Sequence, residues 1–86
     1  MNPNVKTVEP LANFKLKLLF TNGVLKIFDM NPYLEIGVFT ELKNEDYFKR
    51  VRVVFGSVEW PNEQDLSYDT LYILGEDITD ANKKSA

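Results

Sequence analysis

Apolar and polar residues alternate most regularly between Phe14 and Met30. Phe14, Leu16, Leu18 and Phe20 share one parity, and Asn22-Gly23 then interrupts the run. That dipeptide favours a two-residue type I′ hairpin turn, which requires positive φ at both central residues. A two-residue loop fixes the register. It predicts Thr21 opposite Val24, Phe20 opposite Leu25, Leu18 opposite Ile27 and Leu16 opposite Asp29. One face then collects Phe14, Leu16, Leu18, Phe20, Leu25 and Ile27 and is the expected core. The other collects Lys15, Lys17, Leu19, Thr21, Val24, Lys26, Phe28 and Met30, a mixed and half-wet surface with three lysines.

Around this hairpin the pattern is shorter-ranged. Val5 to Glu9 alternates and predicts a first strand, at a sheet edge because Pro10 would interrupt a ladder. Asn31-Pro32 predicts a short helix that stops at Gly37, since proline suits a first helical position. Asn44 followed by Glu45 and Asp46 predicts a second helix, with Tyr47, Phe48 and Val51 on its apolar face and Lys49 and Arg50 at its end. Arg52 to Phe55 and Val58 to Trp60 predict a second hairpin across Gly56-Ser57. Pro61 to Asp65 is a polar loop. Ser67 to Tyr72 predicts a short helix capped by Ser67 or Asp65, with Tyr68, Leu71 and Tyr72 on one face and Gly75 ending it. Residues 76–86 are mostly polar and predict a flexible tail behind a single domain of residues 1–75. The expected architecture is α+β: an antiparallel sheet made from two hairpins and an N-terminal strand, with two or three short helices on one face.

Composition narrows the chemistry. The 86 residues hold no cysteine and no histidine, which removes disulfides, thiolate ligands, cysteine nucleophiles and the usual general base. No catalytic spacing occurs, so no enzyme activity and no cofactor is expected. The longest apolar runs fall far short of the ~20 residues that cross a bilayer. No signal-peptide pattern opens the chain, so a cytoplasmic location is expected. Residues 1–58 carry 8 basic and 6 acidic side chains, net +2, whereas residues 59–86 carry 2 and 7, net −5. An acidic C-terminal third disfavours nucleic acid and suits a basic partner.

Four blocks, in order, resemble a known family. They are the strand ending in Pro10; Leu18-Leu19-Phe20-Thr21-Asn22-Gly23 leading to Phe28-Asp29; Gly37-Val38-Phe39 to Leu42 with Phe48-Lys49-Arg50-Val51; and Val58-Glu59-Trp60-Pro61-Asn62 with Asp65-Leu66 and Leu71-Tyr72. Together, over about residues 5–73, they resemble the bacterial domain-of-unknown-function family 2442. The family usually has glycine after the asparagine of the Trp-Pro-Asn block, where this chain has Glu63. The resemblance implies an α+β fold and no established activity. Some members are fused to a helix-turn-helix domain, and some sit beside a second small protein in toxin–antitoxin-like pairs. Here such a partner would be supplied in trans.

Candidate interaction residues follow from these placements. Trp60, Asn62 and Asp65 form an expected recognition loop, with area from the indole and hydrogen bonds from the polar pair. The competing role is structural, Trp60 packing on Leu71 or Tyr72 and Asp65 capping a turn. Leu19 and Phe28, with Val24 and Met30, form an apolar patch suited either to a partner or homodimer or to a second core layer. Lys15, Lys17 and Lys26 suit an acidic partner or a solvated outer face. Asp29 suits turn capping. An alternative function, binding a small ligand or divalent metal, would use Asp29, Asn62 and Asp65, although no spaced metal motif is present and no resident metal is expected. The leading expectation is a non-enzymatic interaction module of adaptor or antitoxin-like type.

Overall fold

The computed structural model describes residues 1–79. Strands β1 (Val5–Leu11), β2 (Lys15–Phe20) and β3 (Leu25–Asp29) are followed by 3-10 segments Asn31–Tyr33 and Gly37–Lys43 and by helix α1 (Glu45–Phe48). Strands β4 (Arg52–Val54), β5 (Ser57–Glu59) and β6 (Asp65–Leu66), helix α2 (Tyr68–Leu74) and strand β7 (Glu76–Asp77) complete the order. The fold is α+β, as expected. The two hairpins lie in separate antiparallel sheets, one ordered β1-β2-β3-β7 and the other β4-β5-β6. Val5 N donates to Gly56 O at 2.8 Å and stitches the two together. Pro10 pairs within β1 opposite Leu16, which the ladder tolerates because β1 is an edge strand.

The β2–β3 register is one residue away from the two-residue expectation. Leu19 faces Leu25, Leu18 faces Lys26 and Leu16 faces Phe28. Gly23 N donates to Phe20 O, and Phe20 N donates to Val24 O, both at 2.9 Å. This is a three-residue loop, a type I turn closed by Gly23 at φ +87°. A one-residue slip turns every side chain of β3 over. Leu16, Leu18 and Phe20 are buried as expected, but on β3 Phe28 and Met30 join the core while Leu25 and Ile27 stay on the outer face.

The slip also divides the lysines. Lys15 and Lys17 remain outside, opposite Asp29 on β3 and Glu9 on β1. Lys26 turns inward and is 9% exposed. Its ammonium lies 4.1 Å from the Tyr72 ring centroid and donates to the Tyr72 carbonyl. That carbonyl belongs to the last turn of α2, where a cation satisfies an orphan acceptor and the helix dipole at once. The buried aliphatic stem meanwhile packs as an apolar residue would.

A type I′ turn does occur, at Phe55-Gly56 of the second hairpin, with φ +50° and +79° and Val54 opposite Ser57. The expected helix after Asn31 is a single 3-10 turn. It starts with no side-chain cap from Met30, and Asp29 Oδ1 accepts from Asn31 N at 2.9 Å just ahead of it. Both other caps form: Asn44 accepts from Tyr47 N, and Ser67, not Asp65, accepts from Thr70 N. Order continues beyond residue 75, because β7 pairs with β3 and Ile78 N donates to Leu25 O at 2.9 Å. Of the expected tail, residues 80–86 lie outside the described residues.

Candidate functional site

The loop after β5 repeats the geometry of the loop after β2. Glu63 N donates to Trp60 O and Trp60 N donates to Gln64 O, both at 2.9 Å. Glu63 occupies the left-handed position at φ +70°, so the turn forms without the glycine usual there. Pro61 supports it, since the ring presets φ for the second residue of a type I turn.

Trp60 does not face a partner. It is fully buried, its indole Nε1 donates to Phe48 O at 2.9 Å, and its ring lies 6.0 Å from that of Phe48. Its hydrogen bond is to α1, and Trp60 shares one buried core with Leu71, against which Tyr72 packs. Tryptophan supplies both the area and the polar handle that a buried anchor needs.

Around Trp60 lies a polar cluster that the sequence pattern did not single out. Asn62 Nδ2 donates to both carboxylate oxygens of Glu41, at 2.9 and 2.7 Å. Gln64, only 4% exposed, donates from Nε2 to Glu41 Oε1 at 2.8 Å and to Val38 O at 3.1 Å. Tyr47 donates its hydroxyl proton to Gln64 Oε1 at 2.7 Å and accepts from Asn62 N at 2.8 Å. The Asn62 and Gln64 amides hold the Glu41 carboxyl below the ordinary glutamate range. Both polar atoms of the Gln64 side chain are thereby partnered, as burial demands. The cluster ties the Gly37–Lys43 segment and α1 to the β5–β6 loop. The available signal was the side-chain chemistry itself: Asn62 and Gln64 need acceptors, and Glu41 is the acidic residue of the segment that passes them.

The other expected site residues are dispersed. Asp65 is exposed on β6 opposite Glu59. Asp29 belongs to the other sheet, and the Asn31 backbone and amide hydrogen bonds hold its carboxyl below the ordinary aspartate value. Among the described residues no three His, Cys, Asp or Glu side chains gather where they could hold a metal ion. Asp29 and Asp65 belong to different sheets, and the Asn62 amide donates to Glu41. Phe28 is core, stacked on Tyr33 with centroids 5.7 Å apart. Leu19 is half-buried on the outer sheet face beside Leu25 and Ile27.

The surface also exposes several large apolar side chains and a cleft of mixed lining. Ile36, Val38, Phe55, Ile73 and Leu74 are all exposed. A cleft of about 290 Å³ lies between the β1–β2 loop and α1, lined by Pro10, Leu11, Phe14, Phe48, Glu45 and Lys49 among others. No described helix is long and apolar enough to cross a membrane.

Comparison with curated proteins and with solved structures gave no match. The profile of the family described as "Protein of unknown function (DUF2442)" matches residues 5–77. With most of the chain inside that match, the protein belongs to family DUF2442.

Proposed function

We propose that this chain is a non-enzymatic protein-interaction module of the bacterial cytoplasm, the adaptor or neutralising half of a two-protein system. The observation that carries the reading is the pair Ile73 and Leu74, exposed at the end of α2. A short helix with two large aliphatic side chains in water gains from a partner that covers them. Asp69, Glu76 and Asp77 flank the pair, so the surface that would be covered is acidic around an apolar centre. That combination fits a small basic protein, with charge steering the encounter and apolar burial holding the complex.

The test is native co-purification of the tagged chain from its source cells, with mass spectrometry of what stays bound. The expected result is one small basic protein in stoichiometric amount, lost when Ile73→Ser and Leu74→Ser are combined. A lone band from cells that express the neighbouring genes would overturn the reading. So would turnover by the pure protein that Asp29→Ala or Asp65→Ala abolishes.

A further inference from the structure

Glu45 and Lys49 stand one helical turn apart, in the order and spacing at which a helical ion pair forms most readily. They do not pair. Among the described residues the ion pairs are Lys43–Glu35 and Arg52–Glu59. Both side chains instead line the cleft of about 290 Å³ between α1 and the β1–β2 loop. The cleft thus carries one cationic and one anionic group, both exposed and neither neutralised by a described neighbour.

The facing wall is the β1–β2 loop. Pro10, Leu11 and Phe14 give it apolar surface, and Asn13 adds a polar side chain. Asn13 and Phe14 are both left-handed, at φ +63° and +59°, an uncommon state for a bulky residue such as phenylalanine. The surroundings impose it: Met30 N donates to Phe14 O at 2.9 Å, and Asn31 Nδ2 donates to Asn13 O at 2.8 Å. Strain held in this way clusters at ligand clamps, where it fixes a wall before the ligand arrives. We propose that the cleft binds one small zwitterion with an aliphatic body, a ligand of the α-amino-acid type. Its carboxylate pairs with the Lys49 ammonium, its ammonium pairs with the Glu45 carboxylate, and its side chain lies on Pro10, Leu11 and Phe14. The size agrees. At the roughly 30 Å³ that each molecule of liquid water takes, the cleft has room for about ten non-hydrogen atoms, the size of leucine. A ligand carrying both charges satisfies both ends at once, whereas a singly charged analogue satisfies only one.

Amide-resolved NMR titration of the whole chain with L-leucine tests this. Saturable shifts are expected at residues 10–14 and 45–49, with half-saturation below about 10 mM. L-Leucinamide lacks the carboxylate and N-acetyl-L-leucine lacks the ammonium. Each should bind about tenfold more weakly than leucine. Lys49→Gln should weaken leucine binding by a similar factor and remove the preference for leucine over leucinamide. Glu45→Gln should remove the preference over N-acetyl-leucine. Both positions are exposed, so the melting temperature should stay close to that of the parent in either variant. The absence of a saturable shift with leucine in that range would overturn the proposal. So would shifts confined to other parts of the chain, or leucine binding that both substitutions leave unchanged. Capture of a basic partner through Ile73 and Leu74 reads a different surface, so the proposed function stands or falls separately.

Discussion

Glu63 and Gly23 hold the same position in two loops of the same hydrogen-bond pattern, at φ +70° and +87°. Only one of them lacks a Cβ. A left-handed residue with a Cβ costs about 1–2 kcal/mol, and part of that is returned because glycine is freer in the unfolded chain. Glu63→Gly is therefore expected to stabilise the protein by roughly 1 kcal/mol, read from the denaturant midpoint at unchanged slope. Gly23→Val runs the other way. Nothing crowds a Cβ at Gly23 within 4 Å, so the penalty is conformational alone, roughly 1–2 kcal/mol and larger for a β-branched residue. An unchanged melting temperature in Gly23→Val would contradict the loop geometry.

At the scale of the element, the decisive fact is which face of β3 is buried. The parity of β2 is legible in the sequence because its lysines alternate with Leu16, Leu18 and Phe20. The parity of β3 is not, because both faces are apolar: Leu25 and Ile27 on one, Phe28 and Met30 on the other. Lys26 tips a sequence-based choice the wrong way. Its stem is long enough to be buried while its ammonium reaches the end of α2, an element about 45 residues away in the chain that no local pattern reveals. Asn-Gly is equally compatible with a three-residue loop whose glycine alone takes positive φ. The structure's register makes a sharp expectation. Leu18→Ala should cost roughly 2–5 kcal/mol and Phe28→Ala roughly 3–5 kcal/mol. Ile27→Ala should cost well under the lower of those figures, because Ile27 lies on the outer face. Denaturant curves of the three variants check the order, and a loss for Ile27→Ala equal to that of Phe28→Ala would restore the two-residue register.

The whole molecule consists of two sheets whose relation the sequence left unread, because the links, the Val5 N–Gly56 O hydrogen bond among them, join residues far apart in the chain. The caps at Asn44 and Ser67 and the α+β class are legible from local chemistry. A packed Trp60 is one of the two roles its sequence position offers, but its hydrogen bond to α1 and the surrounding polar cluster are not legible, since they depend on α1 and the Gly37–Lys43 segment arriving from elsewhere in the fold. Glu41 is the hub of that assembly, and its protonation gives a test. Asn62 and Gln64 donate to the ionised carboxylate and lower its pKa in the folded state from the ordinary 4.5. A depressed carboxylate contributes stability that is complete above its unfolded-state pKa. The contribution is lost as pH falls below 4.5 through the folded-state value. Glu41→Gln presents one weaker acceptor at every pH. The variant should be less stable than the parent at pH 7, and the gap should narrow as pH falls below 4.5. Asp29 and Asp77, whose carboxyls are likewise held below their ordinary 3.8 by hydrogen bonds from Asn31 and Thr79, should keep an acid slope in both proteins at still lower pH. Urea unfolding at a series of pH values separates these contributions. Two curves that run parallel from pH 7 to pH 3 would mean that the Glu41 cluster does not stabilise the charged carboxylate, and that Trp60 is held by packing and its Phe48 hydrogen bond alone.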